Sequence, residues 1–441
     1  MKTFIKNLFL VPALITGFAL ILTGRVTAQT FTTLHSFSAL DSNNVNSDGA
    51  TPEAGLVLSG NTLYGTALAG GSSSNGTVFA VNTDGTGFTN LHSFTATSGS
   101  ASTNSDGATP WAGLILSGNT LYGTARKGGS VGLGTVFAIN TDSTGFTNIH
   151  SIAGHTGGQY PYAGVILSGN TLYGAAYGGG LGYGTVFAVN TDGTGFTNLH
   201  SFTAVTLSAP TNSDGAMPMA GVVLSGNTLY GTATAGGSSG LGTLFAVHTD
   251  GTGFTNLHSF TALLGPGVTN SDGVTPYAGL ILSGNTLYGA AYNGGSSDLG
   301  TLFAVHTDGT GFTTLHSFTS AFGSPYPGTN TDGANPFAGL ILSGNTLYGT
   351  TEHGGSSGYG TVFSLSFAPQ VTLIPSGSSL IFKWPTNVAG FNYTGFTLQS
   401  TTNLGSSAFW TTVFPGPVVV NGQNTVTNPV TGTQQFYRLI Q

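Results

Sequence analysis

The sequence predicts an all-β chain: a six-bladed β-propeller closed by an N-terminal outer strand, followed by a small β-sandwich module. Three observations lead there. Three short strings each recur six times. The 441 residues include 72 Gly, 29 Phe and 16 Tyr but only 7 Lys plus Arg and 14 Asp plus Glu, which is too apolar for disorder. The glycines follow no every-third-residue period, which excludes collagen. The repeat is also cut so that its fourth strand stands at the front of the array and its first three at the back.

The first element in chain order is a leader. In "MKTFIKNLFLVPALITGFALILTGRVTAQT" Lys2 and Lys6 precede an apolar run, and Val26-Thr27-Ala28 offers small residues at a cleavage point. Residues 1–28 therefore read as a secretory signal peptide. The apolar run from Leu8 to Leu22 is short for a membrane anchor. Cleavage removes Lys2, Lys6 and Arg25, leaving 4 basic against 14 acidic side chains and a charge of −10 instead of −7. Nucleic acid is a poor partner for such a chain, because phosphate binding needs clustered cations. With no cysteine, thiolate metal sites, disulfides and cysteine nucleophiles are excluded. No second apolar run of membrane-spanning length follows in the mature chain, and the expected localisation is secreted, periplasmic or cell-surface.

Residues 29–367 carry the repeats. "LSGNTLYG" begins at Leu58, Leu116, Leu167, Leu224, Leu282 and Leu342, with steps of 58, 51, 57, 58 and 60 residues. "GTVF" or "GTLF" begins at Gly76, Gly134, Gly184, Gly242, Gly300 and Gly360, and "LHSF" or "IHSI" at Leu34, Leu91, Ile149, Leu199, Leu257 and Leu315. Each unit reads as four strands, "AGLILSG", "NTLYGTA", "GTVFAVNT" and "FTNLHSF", joined at Gly-Asn, "GGSxxLG" and "DGTG" turns. One such sheet cannot bury both its faces, so neighbours must stack. The fourth-strand sequence at Phe31 to Phe37, with the first three strands at Ala338 to Leu365, would complete one blade and close a ring. An open stack of hairpins, or a β-helix, is the alternative.

Past Phe367 the period stops. Pro369 and Pro375 introduce short strand-like runs such as "SLIFKWP", "FWTTVF" and "QQFYRLIQ", so residues 368–441 read as a small β-sandwich-like module.

The repeated polar residues read as structural. His35, His92, His150, His200, His258 and His316, one per blade on the outside of a ring, cannot converge on a metal. Asp84, Asp142, Asp192, Asp250 and Asp308 suit side-chain-to-backbone turns. Asp48, Asp106, Asp214, Asp272 and Asp332 read the same way, since one carboxylate per loop is too few for calcium; the third unit, "GHTGGQYPYAG", lacks that Asp. No metal or other cofactor is expected.

The uncopied residues fall in loops on one face, where a rigid scaffold usually places function. One set, each after a proline, is Glu53, Trp111, Tyr162, Met219, Tyr277 and Phe337; the other, before the "GG" of the next loop, is Arg126, Lys127, Tyr177, Tyr292, Asn293, Glu352 and His353. Aromatic faces with a few polar groups suit a neutral glycan or peptide at the channel mouth. The bland alternative is that these side chains merely seal a small channel. Glu53 and Glu352, the only glutamates, would lie on neighbouring blades of a closed ring, which leaves a polysaccharide-acting enzyme as a second reading. A structural surface-layer component is a third. No nucleophile elbow or phosphate loop is present, so the favoured expectation is a non-enzymatic scaffold or binding module, with an extracellular glycan or surface protein as partner.

The string "LSGNTLYGTAxxGGSxxxGTVFAVNTDGTGFTNLHSF" resembles the tandem repeat of the GloVer-containing, choice-of-anchor proteins of bacteria over roughly residues 31 to 367. The resemblance implies an exported, propeller-like repeat protein and no particular reaction. The C-terminal stretch "LQSTTNLGSSAFWTTV...NTVTNPVTGTQQFYRLIQ" is similar to β modules on exported proteins of Verrucomicrobia-like bacteria, and no LPxTG-like anchor string closes the chain.

Overall fold

Each repeat folds as the turn chemistry dictates, into an antiparallel meander whose strands lie side by side in chain order. Sheet 1 comprises Val57–Ser59, Thr62–Ala67, Thr77–Asn82 and Thr89–Ser93. Sheets 2 to 5 repeat it, beginning at Ile115–Ser117, Ile166–Ser168, Val223–Ser225 and Ile281–Ser283. Sheet 6 has only three strands, Ile341–Ser343, Thr346–Thr351 and Thr361–Ser366. The computed structural model describes residues 32–206, 210–264, 269–323, 328–367, 369–388, 390–404, 409–429 and 435–440; the expected leader and Phe31 lie outside them.

Alternation along the strands decides how the sheets stack. Val78 and Ala80 of the third strand of sheet 1 point to sheet 2, where they meet Leu114, Leu121, Phe137 and Ile139 in one buried core. Val136 and Ala138 point the other way, to Val165, Leu172, Phe187 and Val189 of sheet 3. The same arrangement joins sheets 3 and 4, 4 and 5, and 5 and 6. Close approach of the first strands depends on one glycine per unit: a Cβ on Gly113 would stand 3.1 Å from Gly55 O, and one on Gly164 only 2.8 Å from Gly113 O.

The expected ring does not close. Among the described residues, five cores join six sheets, and none joins sheet 6 to sheet 1. Thr361–Ser366 pairs only with Thr346–Thr351, and residues 32–40 form no strand. Closure would set Gly55 against Gly339, yet a Cβ placed on Gly55 would meet nothing within 4 Å. The architecture is an open row of six sheets rather than a closed six-bladed propeller. The stacking repeated at five interfaces does not bring sheet 6 back to sheet 1, and at the front end residues 32–38 keep only their seat on sheet 1. The His35 ring stacks on Phe88 at 3.5 Å and Phe37 packs edge-on against Phe79.

That seat is the first of five equivalent clamps between neighbours. The His92, His150, His200 and His258 rings stack in the same way on Phe146, Phe196, Phe254 and Phe312 of the next sheet, at 3.6–3.9 Å. Each of His35, His92, His200, His258 and His316 also shares a hydrogen bond of 2.9–3.0 Å with Asp48, Asp106, Asp214, Asp272 and Asp332 respectively. Asp106 further accepts the Thr95 N–H and hydroxyl. Burial alone would raise the Asp106 carboxyl, but the bonds from His92 and Thr95 outweigh it and hold the group below its ordinary 3.8; Asp272 is held down in the same way by His258 and Thr261. In the third unit, which has no such Asp, Thr185 Oγ1 is buried without a partner, and burial depresses His150 below 6.5 with no carboxylate bond to oppose it. The "NTDGTG" aspartates do form turns, as Thr86 N–H and hydroxyl on Asp84 Oδ1 illustrate.

Beyond sheet 6, Thr372–Ser376, Ser379–Pro385, Gln423–Pro429 and Val418–Val420 form one sheet, and Thr411–Thr412, Thr397–Thr401 and Phe436–Ile440 a second. Phe382 packs on Tyr437 between them. Their apolar core is continuous with that of sheets 5 and 6: Phe391 stacks on both Tyr288 and Phe367, and Tyr393 donates its hydroxyl to Phe367 O. Burial there pushes the Tyr288 phenol up to about 12.

Replacing Asp106 by Ala strands the His92 and Thr95 donors in a mostly buried site. The expected loss is roughly 1–3 kcal/mol of unfolding free energy in a urea titration, against a much smaller loss for Asp84→Ala in its exposed turn. Equal losses would contradict the clamp. Stability should also fall on acidification in two stages. His150 and His200 are held neutral in the fold by burial, which for His200 outweighs its bond to Asp214, so the unfolded chain takes up the extra proton; this contribution is present above 6.5 and is lost as pH falls through the lower folded values. The carboxylates of Asp48, Asp106 and Asp272 keep their contribution above 3.8 and lose it as pH falls through their depressed values. A thermal midpoint that is flat from pH 7 to pH 3 would refute both.

Candidate functional site

The two sets of uncopied loop residues are brought together because their backbones pair. Each loop leading into a first strand makes an antiparallel bridge with the loop between the second and third strands of its own unit: Ala108 with Lys127, Gln159 with Gly178, Val274 with Asn293, and Ala334 with His353. This sets each post-proline residue beside its partner in the second loop.

The residue before each of these prolines is the hinge of the arrangement, and nothing in the sequence points to it. Thr51, Thr109, Tyr160, Met217, Thr275 and Asn335 all have positive φ, between 56° and 59°. For a threonine ahead of a proline that is a strained conformation. Hydrogen bonds to two units hold it. The Thr109 N–H donates to Asn75 O of the preceding unit, and its carbonyl accepts from Arg126 N; Thr275 does the same with Leu241 O and Tyr292 N. The following proline then packs on a glycine of the preceding unit, Pro110 on Gly76 and Pro276 on Gly242. The rim positions are therefore fixed by inter-sheet clamps rather than by their own loops.

The expected ring of side chains resolves into two groups. At sheets 2 and 3, Trp111 meets Tyr162 edge-on at 5.8 Å, and Tyr162 meets Tyr177 at 5.4 Å. The Arg126 guanidinium lies over both, 4.3 Å from the Tyr162 ring centre and 5.7 Å from that of Trp111. Its Nε is buried without a hydrogen-bond partner. At sheets 5 and 6, Tyr277, Tyr292 and Phe337 pack within 5.2–6.0 Å of one another, and Tyr292 donates its hydroxyl to Glu352 Oε2 at 2.7 Å. His353 Nε2 stands 3.7 Å from Glu352 Oε1, and Asn293 Oδ1 accepts from Asn335.

Met219, on sheet 4 between the groups, is half-buried. Lys127 is exposed, its backbone alone engaged. Glu53 is exposed on sheet 1, at the opposite end of the row from Glu352, so the neighbouring placement of the two glutamates that closure would have produced does not form. Nor is there a channel mouth for the rim to encircle; the two aromatic groups lie along one side of an open row. Among the described residues no three His, Asp or Glu side chains are grouped to hold a metal, and no helix is long and apolar enough to cross a membrane, which does not address β-barrel spans.

A family model described as a Gloeobacter/Verrucomicrobia repeat matches residues 23–212, 100–261, 203–376 and 268–404. No protein of curated function matches the sequence. Among solved structures, the chain is similar to a putative 6-phosphogluconolactonase from Bacteroides uniformis at 14% identity and a TM-score of 0.42, over 92% of this chain and 90% of that one. It is similar to a GH74 xyloglucanase from Xanthomonas campestris at 12% and 0.42, over 75% of this chain and 50% of that one. A nidogen/laminin complex matches at 14% and 0.36, over 63% and 82%. Likeness at that level carries no argument about activity. The overlapping matches to the repeat model take in most of the chain, and on them the protein belongs to the Gloeobacter/Verrucomicrobia repeat family.

Proposed function

We propose that this is a non-enzymatic, exported binding module that takes an extended neutral ligand, foremost a glycan, along the aromatic side of its row of sheets. The observation that carries the reading is the group at sheets 2 and 3. Trp111, Tyr162 and Tyr177 are only half-buried, stand edge to edge on three neighbouring loop segments, and are held there by strained, doubly hydrogen-bonded backbone and by Arg126. Rigid aromatic faces offer large contact area with little entropy to lose, and sugar rings present the matching apolar faces. The second group, Tyr277, Tyr292 and Phe337 with the Glu352 acceptor, supplies a further platform two sheets on, which suits a chain-like ligand better than a compact one. The apolar leader at residues 1–28 supports export.

A glycan array probed with the full chain, followed by calorimetric titration of the best neutral oligosaccharide, tests the reading. Trp111→Ala and Tyr277→Ala should each weaken binding by about two- to tenfold, the worth of one lost stacking contact, and the double variant by more. Lys127→Ala, which touches neither group, should leave affinity unchanged. Binding to no glycan, or full affinity in the double variant, would overturn the proposal.

A further inference from the structure

The ends of the row differ in what they lack. At the front, residues 34–37, "LHSF", sit on sheet 1 as a fourth strand sits on the sheet that follows it: His35 is stacked on Phe88 and bonded to Asp48, as His92 is to Phe146 and Asp106. No third strand lies beside them. At the back, among the described residues, Thr361–Ser366 is a third strand without a fourth, and its outer edge is unpaired. His316 has no phenylalanine stacked on it among the described residues, unlike its five counterparts. A cleft of about 370 Å³ opens there, lined by His316, Phe318, Asp332, Thr361 and Phe363. The missing piece has the sequence of the front segment, since Phe31 to Phe37 repeats the order of Phe88 to Phe94 with one change, Thr33 for Asn90.

The flat faces match too. Within the chain, Val57, Tyr64 and Val78 of one sheet pack on Leu114, Leu116 and Leu121 of the next. On sheet 6 the equivalents of the first three, Ile341, Tyr348 and Val362, are uncovered, with Ile341 67% and Val362 84% exposed. On sheet 1 the equivalents of Leu114 and Leu116 are Leu56 and Leu58, 51% and 58% exposed. Large apolar side chains this open on a chain with so few charges call for a covering surface. A cleft of about 290 Å³ beside Leu56 and Phe37 marks the front end as well.

We propose that the two ends join head to tail between copies of this chain, with residues 32–38 of one copy pairing as the fourth strand of sheet 6 of the next. Sheet 6 of that next copy then stacks on sheet 1 of the copy that donates the segment, through the contact already repeated five times within each chain. The unpaired edge supplies the main-chain hydrogen bonds and the leucine face supplies the burial. A contact between two different surfaces does not use itself up, so an assembly of any length retains one free front and one free back, and the product is an open filament. This inference does not rest on the glycan-binding reading.

The register follows from the intact sheets, where Ala80 is opposed to Thr89 and Ala138 to Thr147. Their counterparts at the ends are Ser364 and Thr32, both exposed. Opposed residues of an antiparallel pair lie about 4.5–5.5 Å apart, within disulfide reach, and the chain has no cysteine of its own. Using the full chain expressed with its own leader, Ser364→Cys and Thr32→Cys variants mixed under mild oxidation should give a disulfide-linked dimer that neither forms alone. Sedimentation velocity of the unmodified chain should show mass rising with concentration, and Val362→Lys, on an exposed position that leaves the fold intact by circular dichroism, should abolish both effects. The proposal is overturned if the unmodified chain is monomeric at every concentration. It is equally overturned if the Thr32→Cys, Ser364→Cys double variant cross-links only within single chains, or if Val362→Lys assembles as before.

Discussion

Face-to-face packing of apolar sheets is the constraint on which the whole molecule depends. Each inner sheet is apolar on both sides: Val136 and Ala138 serve one neighbour while Phe137 and Ile139 serve the other. A sheet of that kind cannot stand alone in water, and with alternating side chains at period two neither face can be made polar without remaking the strand. The demand propagates from unit to unit and stops only at the ends. At the back the core is extended sideways by the C-terminal sheets, which cover Tyr288 and Phe367 but leave Val362 in solvent.

Polar interactions act on this frame as alignment devices rather than as the source of cohesion. Where the aspartate is present, the His–Asp pair binds a fourth strand to the loop that leads into the next sheet, and the His92 ring, for one, stacks across to that sheet's phenylalanine. The strained pre-proline residue does the same job on the other side of the unit, bonding backwards to one loop and forwards to another. Both devices place side chains relative to neighbours with little freedom. Aromatic groups assembled from loops of different sheets, such as Trp111 with Tyr162 or Tyr277 with Phe337, inherit that rigidity. In the third unit, where the aspartate is missing, a short helix at Gly154–Gly157 makes the connection, and the Thr185 hydroxyl, whose counterparts Thr77 and Thr135 donate to the main-chain carbonyl of the aspartate, goes unsatisfied.

Much of the candidate site was legible as a pattern of difference. Residues such as Trp111 and Tyr277 stand out against a background of near-identical copies, and the common phase of their loops places them on one side. What could not be read was their grouping. Arg126 wedges against the ring of the following unit as well as its own, and Tyr292 reaches Glu352 sixty residues away, contacts created by the displacement between adjacent sheets. The positive φ of Thr109 and Thr275 was equally invisible, because local propensity argues against it and it is held by one bond to the preceding unit and one to a distant loop of its own unit.

The sequence by itself determined the strands of the six sheets and their order, though not the fate of the front "LHSF" segment, which forms no strand; turn residues and period-two alternation are local and act the same way in every copy. It also determined that sheets must stack, through the apolar residues on both faces. Whether six sheets return to their starting point was a tertiary decision. That outcome depends on the angle added at each interface, which is set by the joint packing of Val, Leu and Phe side chains from two sheets and by how closely Gly113 and Gly164 let the first strands approach. A small change in that angle, multiplied along the row, separates a ring from an open array. No single repeat carries the sum, and here the sum leaves sheet 6 and sheet 1 apart.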